Sequence, residues 1–183
     1  MEERKSWGVK DKAIKAELVE LLELSADEKT LLASLKEAAS QQAPIMVEAF
    51  YARLFASENT KEYFEGATME RLHSMIATWF TDLFSGDYDT AYVEQRLYIG
   101  NVHVKIGLPV RYPIAMLDIV SQHGLEVARQ SSDSSKAEKA FLKVLSLDVA
   151  IFNQAYEDNQ LSHLADLVGG ERLARLLLSG ESM

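Results

Sequence analysis

Cysteine is absent from the 183 residues of this chain. Its absence excludes disulfide bonds, a thiolate nucleophile, zinc–thiolate sites, iron–sulfur clusters and covalent attachment of a tetrapyrrole through sulfur. A chain without cysteine is compatible with a reducing compartment.

A long apolar run and an excess of positive charge are also missing. No stretch approaches the roughly 18 uninterrupted apolar residues that a membrane span needs. The charged N-terminus, MEERKSWGVKDK, lacks the apolar core of a secretory signal. The net charge is −9 and the basic residues are scattered, which disfavours binding to a nucleic-acid duplex. These absences predict a cytoplasmic protein that binds neither membranes nor nucleic acid.

Proline is scarce, with three in the chain, and apolar residues recur at the three- and four-residue spacing of helices. Ser25 with Glu28, and Ser135 with Glu138, have the spacing of capping boxes. No alternating strand pattern persists. The sequence therefore predicts a single all-α domain, with an amphipathic helix before residue 25 and a short helix after the glycine pair at 169–170. Between them, helices are predicted over about 26–41, 44–57, 69–85, 90–106, 109–129 and 135–161.

Four histidines are the candidates for metal binding or acid–base chemistry near neutral pH. They are His73, His103, His123 and His163, which lie too far apart for a zinc site built from paired ligands on one helix. The chain also lacks a glycine-rich phosphate loop and the G-x-S-x-G turn of hydrolases. A hydrolase or a nucleotide-dependent enzyme is therefore poorly supported.

His103 differs from the other histidines in its neighbours along the predicted helix. Gly100 lies one turn before it, and a glycine inside a helix costs about 1 kcal/mol relative to alanine. Such a glycine is understandable if a large flat group approaches the backbone closely, and a porphyrin beneath the imidazole is a group of this kind. The alternative is an ordinary core histidine with a satisfied hydrogen bond.

The segment around His103 resembles the proximal-histidine signature of the globin-coupled sensors and protoglobins. Residues 96–109 read RLYIGNVHVKIGLP and fit the pattern R-x-x-I-G-x-x-H-x-x-I-G-L-P, in which the histidine carries the haem ligand. Upstream, the motif F-Y-x-x-L with Tyr51 in second place resembles the family's distal motif, where a tyrosine points at the bound gas. The resemblance covers roughly residues 25–160 and implies a globin fold with an extra N-terminal helix.

The resemblance implies a haem b cofactor whose iron is bonded by Nε2 of His103, with the other ring nitrogen oriented by a backbone carbonyl. Tyr51 would donate its hydroxyl hydrogen to bound dioxygen, with carbon monoxide and nitric oxide as alternative ligands. A hydrogen bond to such a charged group is worth roughly 1.5–3 kcal/mol, or roughly 10- to 100-fold in oxygen retention. Without the resemblance, packing beside Phe50 and Phe55 would be the better interpretation of Tyr51.

Further residues are expected to line the haem pocket. Met75 is also a candidate sixth ligand, although a place in the pocket wall is the better interpretation. His73 is expected either to face solvent or to pack at the rim. Arg96 or Lys105 is a candidate partner for a propionate, with a solvated surface charge as the favoured alternative. With His103 as the metal ligand, the predicted pocket residues are Tyr51, Phe64, Leu72, Met75, Ile76, Ile99, Val102, Ile106 and Leu108.

Assembly is predicted from helices 109–129 and 135–161, which are apolar on more than one face. A helix of this kind needs more than one buried contact, so we expect a homodimer through these two helices. The alternative is a monomer with thicker terminal coverings. We expect residues 1–24 to form a pre-globin helix, 25–162 the sensor globin domain and 163–183 a tail or the stub of a signalling helix.

The sequence favours a haem-based sensor in which a gas ligand shifts Tyr51 or the His103 helix. Its signal would pass to a downstream partner or to an output domain missing from this chain. A haem globin enzyme acting on nitric oxide or peroxide is the first alternative, although no flavin or nicotinamide motif is present. A haem-free interaction module is the second, and the presence of both His103 and Tyr51 argues against it.

Overall fold

The computed structural model describes residues 12–64, 66 and 68–180. These residues form nine α-helices and one 3-10 turn, which confirms the predicted all-α class. The helices are α1 Lys12–Leu21, α2 Ala26–Ala33, α3 Lys36–Phe55, α4 Glu58–Lys61, α5 Met69–Asp82, α6 Thr90–Lys105, α7 Arg111–Ala128, α8 Ser134–Val168 and α9 Glu171–Leu178, with the 3-10 turn at Glu62–Phe64. Within the described ranges, no helix combines the length and apolarity needed to cross a bilayer.

The predicted break before Pro44 is wrong, because α3 runs through this proline. The chain breaks earlier, at Ser34 and Leu35, where the Ser34 hydroxyl donates to the Leu31 carbonyl at 2.6 Å. Pro44 is exposed, so the hydrogen bond that its missing N–H would have made is lost where water can replace it. Because proline is rare inside a helix, the sequence pattern had predicted a helix boundary just before Pro44.

The predicted capping box at the start of α2 is confirmed. The Glu28 amide donates to Ser25 Oγ at 3.2 Å, and the Ser25 amide donates to Glu28 Oε2 at 2.8 Å. Lys143 of α8 adds an ion pair to Glu28 at 2.8 Å. The cap therefore both starts α2 and ties it to α8.

The long helix α8 lies at the centre of the packing and contacts α2, α6, α7 and α9. Its Phe141 ring stacks on Phe84 with centroids 5.3 Å apart. Gly124 of α7 permits this arrangement, since a Cβ built there would lie 1.9 Å from Phe141 Cζ. The buried core includes residues of α5, α6, α7 and α8, so the two helices that carry most of the predicted site are anchored in it.

The helix α8 is longer than predicted, since it extends to Val168 rather than to about residue 161. It ends at Gly169, whose φ of 84° is the left-handed conformation that suits glycine. The chain then turns back, and α9 packs against α8 with Ala174 fully buried. Within the segment predicted as a tail or the stub of a signalling helix, residues 163–178 thus comprise the last part of α8, the glycine pair and α9, and residues 181–183 lie outside the described residues.

The helices α5 and α6 are joined at one end by residues 83–89. The helix α5 packs mainly on α3, and α6 packs mainly on α8. Tyr88, in the connection between α5 and α6, is buried and donates its hydroxyl hydrogen to the Leu83 carbonyl at 2.8 Å. The two helices are thereby fixed together where α5 ends and α6 begins.

Candidate functional site

His103 lies in the last turn of α6, and one of its ring nitrogens is already committed. Nδ1 lies 2.7 Å from the Ile99 carbonyl oxygen. A carbonyl can only accept, so Nδ1 carries the hydrogen and Nε2 keeps its lone pair. No other polar contact of the ring is found among the described residues. The histidine therefore presents a free Nε2, which is the tautomer that binds metals through that nitrogen.

The surroundings of His103 favour its neutral form. Burial lowers the pKa of His103 and outweighs the hydrogen bond to Ile99, which acts in the opposite direction. The ring of Phe152 from α8 meets the imidazole edge to face, with centroids 5.2 Å apart and planes at 78°. The imidazole is thus held on two sides and remains unprotonated near neutral pH, as a metal ligand must be.

Tyr51 lies in α3 inside a cluster of aromatic rings. Its side chain is 5% exposed, and the His73 ring stacks on it with centroids 4.6 Å apart. Phe50, Phe55 and Phe64 complete the cluster at 5.6, 5.8 and 5.9 Å. The Tyr51 hydroxyl has no hydrogen-bond partner among the described residues, and burial raises the pKa of Tyr51 to about 12. The hydroxyl is therefore a protonated donor that is still available.

The other predicted pocket residues lie on α5, on α6 and in the segments next to them. Several apolar side chains on these two helices are exposed, with Met75 at 48% and Ile106 at 50%. Exposed apolar side chains on α5, and beside the free imidazole nitrogen at the end of α6, are surface that an apolar ligand could cover. Val102 is also exposed, whereas the half-buried members of the predicted set are Phe64, Leu72, Ile76, Ile99 and Leu108.

Tyr51, Met75, His103 and Ile106 are together called the open end below, because Met75 and His103 lie farther along α5 and α6 from the connection at 83–89 than Trp79 and Arg96 do. It combines a neutral histidine with one free nitrogen, an unpartnered tyrosine hydroxyl and exposed apolar side chains. Those features fit a haem better than a bare metal ion. Groups of three or more histidine, aspartate or glutamate side chains able to hold an ion do not occur in the described parts of the chain.

The opposite end of α5 and α6 holds a buried polar cluster that the sequence analysis missed. Asp148 of α8 accepts hydrogen bonds from Arg96 Nε at 2.7 Å, from Trp79 Nε1 at 2.7 Å and from the Tyr92 hydroxyl. The Arg96 guanidinium also lies over the Tyr92 ring, 4.0 Å from its centroid. We call these four residues, Trp79, Tyr92, Arg96 and Asp148, the closed end.

Arg96 therefore corrects both interpretations offered for it. It is neither a solvated surface charge nor placed at the open end beside a propionate, since it is 1% exposed and paired with Asp148. Burial would lower the pKa of Arg96, but the Asp148 carboxylate raises it further and keeps the guanidinium charged. A signal was present in the sequence, because Asp148 interrupts the apolar run VLSLDVAIF, where an acid needs a buried partner.

Gly100 also has a different reason from the one predicted. A Cβ at Gly100 would lie 2.6 Å from Ala155 Cβ and 2.9 Å from the Phe152 carbonyl oxygen, so the glycine lets α8 approach α6. The close neighbour is thus a helix rather than a porphyrin. Sequence spacing showed that something approaches the backbone at this point and could not show what it is.

The remaining histidines have separate environments. His73, predicted at the rim, is half-buried against Tyr51. His123 Nδ1 lies 2.8 Å from Gln42 Nε2 and 3.5 Å from a Glu126 carboxylate oxygen. His163 is exposed on α8. Neither of the last two is a candidate for the same site.

Comparison with known proteins identifies relatives of this chain. The family model described as Protoglobin matches residues 11–162. The chain is 30% identical over 139 residues to the heme-based aerotactic transducer HemAT of Halobacterium salinarum, an alignment that covers 68% of this chain and 28% of that protein. It also resembles the globin domain of the Geobacter sulfurreducens globin-coupled sensor, with a TM-score of 0.72 and 25% identity. That likeness covers 77% of this chain and 96% of the solved one.

Proposed function

Because the chain belongs to the protoglobin family, we propose that it binds haem b through His103 and senses a diatomic gas, with dioxygen as the principal ligand. The observation that carries this proposal is the free Nε2 of a neutral His103 whose Nδ1 is fixed to the Ile99 carbonyl oxygen at 2.7 Å. When bound, haem would supply an iron with a coordination position for the gas. The pocket residues are those predicted around the open end.

The role proposed for His103 follows from its hydrogen bond. The Ile99 carbonyl oxygen holds the Nδ1 proton, which fixes the tautomer and raises the basicity of Nε2. Burial disfavours the charged imidazolium and so lowers the pKa of His103. The side chain is thus prepared to donate its electron pair to a metal without rearranging.

The role proposed for Tyr51 is to discriminate between gases. Its hydroxyl lacks a partner among the described residues and stays protonated because burial raises the pKa of Tyr51 to about 12. Dioxygen bound to haem iron carries partial negative charge and carbon monoxide carries less, so a hydroxyl donor favours the former. A hydrogen bond to a charged group is worth roughly 1.5–3 kcal/mol.

Sensing rather than catalysis is supported by the Halobacterium relative, which is named an aerotactic transducer. This chain spans about 28% of the length of that protein, so any output activity is a further part of the proposal. Oxidation of nitric oxide by the oxygenated protein would be the signature of the enzymatic alternative. A slow reaction with nitric oxide, together with slow autoxidation, supports the sensor.

A homodimer through α7 and α8 remains part of the proposal, with weaker support than the haem site. Most apolar residues on the two helices, such as Val120 and Val144, are already buried within one chain. Ile114 and Leu142 remain exposed at 42% and 44%. Light scattering of the purified protein tests the dimer, and a mass of one chain at high concentration would remove it.

Haem uptake by the purified chain tests the central claim. We expect the parent protein to bind haem with a Soret band and a ferrous carbonyl spectrum typical of one histidine ligand. His103→Ala should lose this coordination, and added imidazole should restore part of it. His163→Ala is the matched control, because His163 is exposed on α8 and should bind haem as the parent does. Retention of the parent's axial coordination by His103→Ala would remove His103 from the proposal.

A further inference from the structure

We propose that Phe152 of α8 is a positioning residue for His103, which sets the orientation of the imidazole and carries its displacement into α8. This inference rests on the proposed function, since it assumes that His103 bonds the haem iron. It adds a specific contact through which the histidine meets the rest of the molecule.

The first observation is the contact itself. The Phe152 and His103 rings meet with centroids 5.2 Å apart and planes at 78°. The hydrogen bond from Nδ1 to the Ile99 carbonyl oxygen fixes one edge of the imidazole. This hydrogen bond alone leaves the ring free to rotate about the Nδ1–oxygen axis. An aromatic ring set perpendicular to the imidazole restricts this rotation by packing. The two contacts together therefore define the plane of the imidazole.

The second observation is the close approach of the two backbones beside this contact. Gly100 lies one turn before His103, and a Cβ there would lie 2.9 Å from the carbonyl oxygen of Phe152 itself. Ala155, one turn after Phe152, is as close, at 2.6 Å from the same Cβ position. No space is left between α6 and α8 at this level. Because packed interiors are nearly incompressible, α6 cannot move toward α8 without displacing it.

The third observation is a matched spacing on the two helices. Arg96, Gly100 and His103 follow one another at intervals of four and three residues, as do Asp148, Phe152 and Ala155. Arg96 contacts Asp148 and His103 contacts Phe152, while Gly100 lies against Phe152 and Ala155. These six residues are called the seam below. Intervals of four and three keep residues on one helix face. The Arg96–Asp148 ion pair joins α6 to α8 at one end of the seam. A displacement of His103 at the other end therefore acts on helices that are already joined.

Beyond the seam, α8 continues as an uninterrupted helix. The Tyr156 hydroxyl donates to the Leu108 carbonyl oxygen at 2.9 Å, which ties the segment after α6 to the next turn of α8. The helix then runs to Val168, and α9 packs back on it. Displacement at Phe152 is thus passed along one rigid element to the α8–α9 pair.

Two measurements on the haem-loaded full chain test the proposal. The first is the iron–histidine stretching band of the ferrous, gas-free protein by resonance Raman spectroscopy. Phe152→Leu removes the ring and keeps an apolar side chain, so the band should shift and broaden. Phe152→Tyr keeps the ring and should restore the parent band. Leu142→Ala is the control, since Leu142 is exposed on the same helix and should leave the band unchanged.

The second measurement is amide hydrogen exchange of residues 156–178 with and without carbon monoxide. The parent should show a gas-dependent change in exchange, and Phe152→Leu should lose at least half of it at equal haem content. If Phe152→Leu does not fold, Phe152→Met replaces it with the same expectation.

The outcomes separate the two proposals. A parent that takes up no haem, or a His103→Ala variant with the parent's coordination, overturns the proposed function and this inference with it. A parent that binds haem, with Phe152→Leu matching it in both the band and the exchange change, overturns the role of Phe152 alone. A shifted band without any gas-dependent exchange in the parent overturns the transmission to α8 and supports the positioning of His103.

Discussion

The residues of the closed end and those of the open end differ in whether their polar atoms have hydrogen-bond partners. At the closed end, one carboxylate accepts hydrogen bonds from three side chains, and Arg96 is 1% exposed. At the open end, the Tyr51 hydroxyl and His103 Nε2 have no partner among the described residues, and Met75 is 48% exposed.

The difference indicates a division of tasks between these two groups of residues. Buried polar groups that are paired with one another hold a fold in register, while unpaired groups beside exposed apolar surface leave bonding capacity for a ligand. Among the described residues, one buried atom of the closed end, Nη2 of Arg96, also lacks a hydrogen-bond partner. We therefore expect substitutions at the closed end to change stability, and those at the open end to change ligand binding.

The largest effect is expected for Asp148→Ala. The variant leaves the buried Arg96 guanidinium with only the more distant Asp82 carboxylate, at 3.6 Å, in place of the Asp148 contact at 2.7 Å. Breaking a buried pair in this way costs about 3–5 kcal/mol. Urea unfolding of the haem-free chain, followed by circular dichroism, measures the change in the free energy of unfolding. Asp118→Ala is the control, because the Arg53–Asp118 pair at 2.6 Å has both side chains about half exposed and should contribute little. Equal midpoints for the two variants would refute the special role of the closed end.

The next effect concerns gas release and belongs to the open end. Tyr51→Phe removes the proposed donor, so dioxygen should dissociate about 10- to 100-fold faster, while carbon monoxide binding changes little. Stopped-flow displacement of dioxygen measures the rate. Tyr112→Phe, outside the aromatic cluster, is the matched control and should leave the rate unchanged. An unaltered rate in Tyr51→Phe would exclude its hydroxyl from ligand stabilisation.

The two tyrosines also allow a direct comparison of stability. Tyr92→Phe removes a buried hydrogen bond to the Asp148 carboxylate and should cost about 1.5–3 kcal/mol. Tyr51→Phe removes a hydroxyl that has no partner among the described residues, so the haem-free protein should keep its stability or gain slightly. The same urea titration measures both. A larger loss in Tyr51→Phe than in Tyr92→Phe would reverse the assignment of tasks to the two ends.

Local patterns in the sequence were sufficient for much of this picture. Helical periodicity predicted the all-α class, and the Ser25–Glu28 spacing predicted a cap that the structure contains. The resemblance of the segments around His103 and Tyr51 to the signatures of a known family singled out these two residues, whose roles remain predictions. Each of these signals lies within a few residues of the feature that it predicts.

The errors at Arg96 and Gly100 arose because the decisive partner lies far away in the sequence, unlike the local error at Pro44. Arg96 is 52 positions from Asp148 in the chain, and the contact of Gly100 with α8 spans a similar distance. A single sequence does not specify which distant helix will cover a given face. A buried arginine and a solvated one therefore look alike in the pattern, and a glycine that admits a helix looks like one that admits a cofactor.

The smallest effect is an expected constancy with pH. Burial raises the pKa of Tyr51 from 10.0 to about 12 in the folded chain. The contribution of the neutral Tyr51 side chain to stability is therefore fully present below pH 10. It is lost as the pH rises from about 10, where the side chain ionises in the unfolded chain, to about 12.

The hydroxyl should thus remain a donor throughout the range from neutral pH to pH 10. The ratio of dioxygen release rates between Tyr51→Phe and the parent should be the same at both limits, because this ratio cancels titrations elsewhere. A ratio that falls by half or more at pH 10 would mean that Tyr51 ionises as an exposed tyrosine does, and that the open end admits water to its hydroxyl.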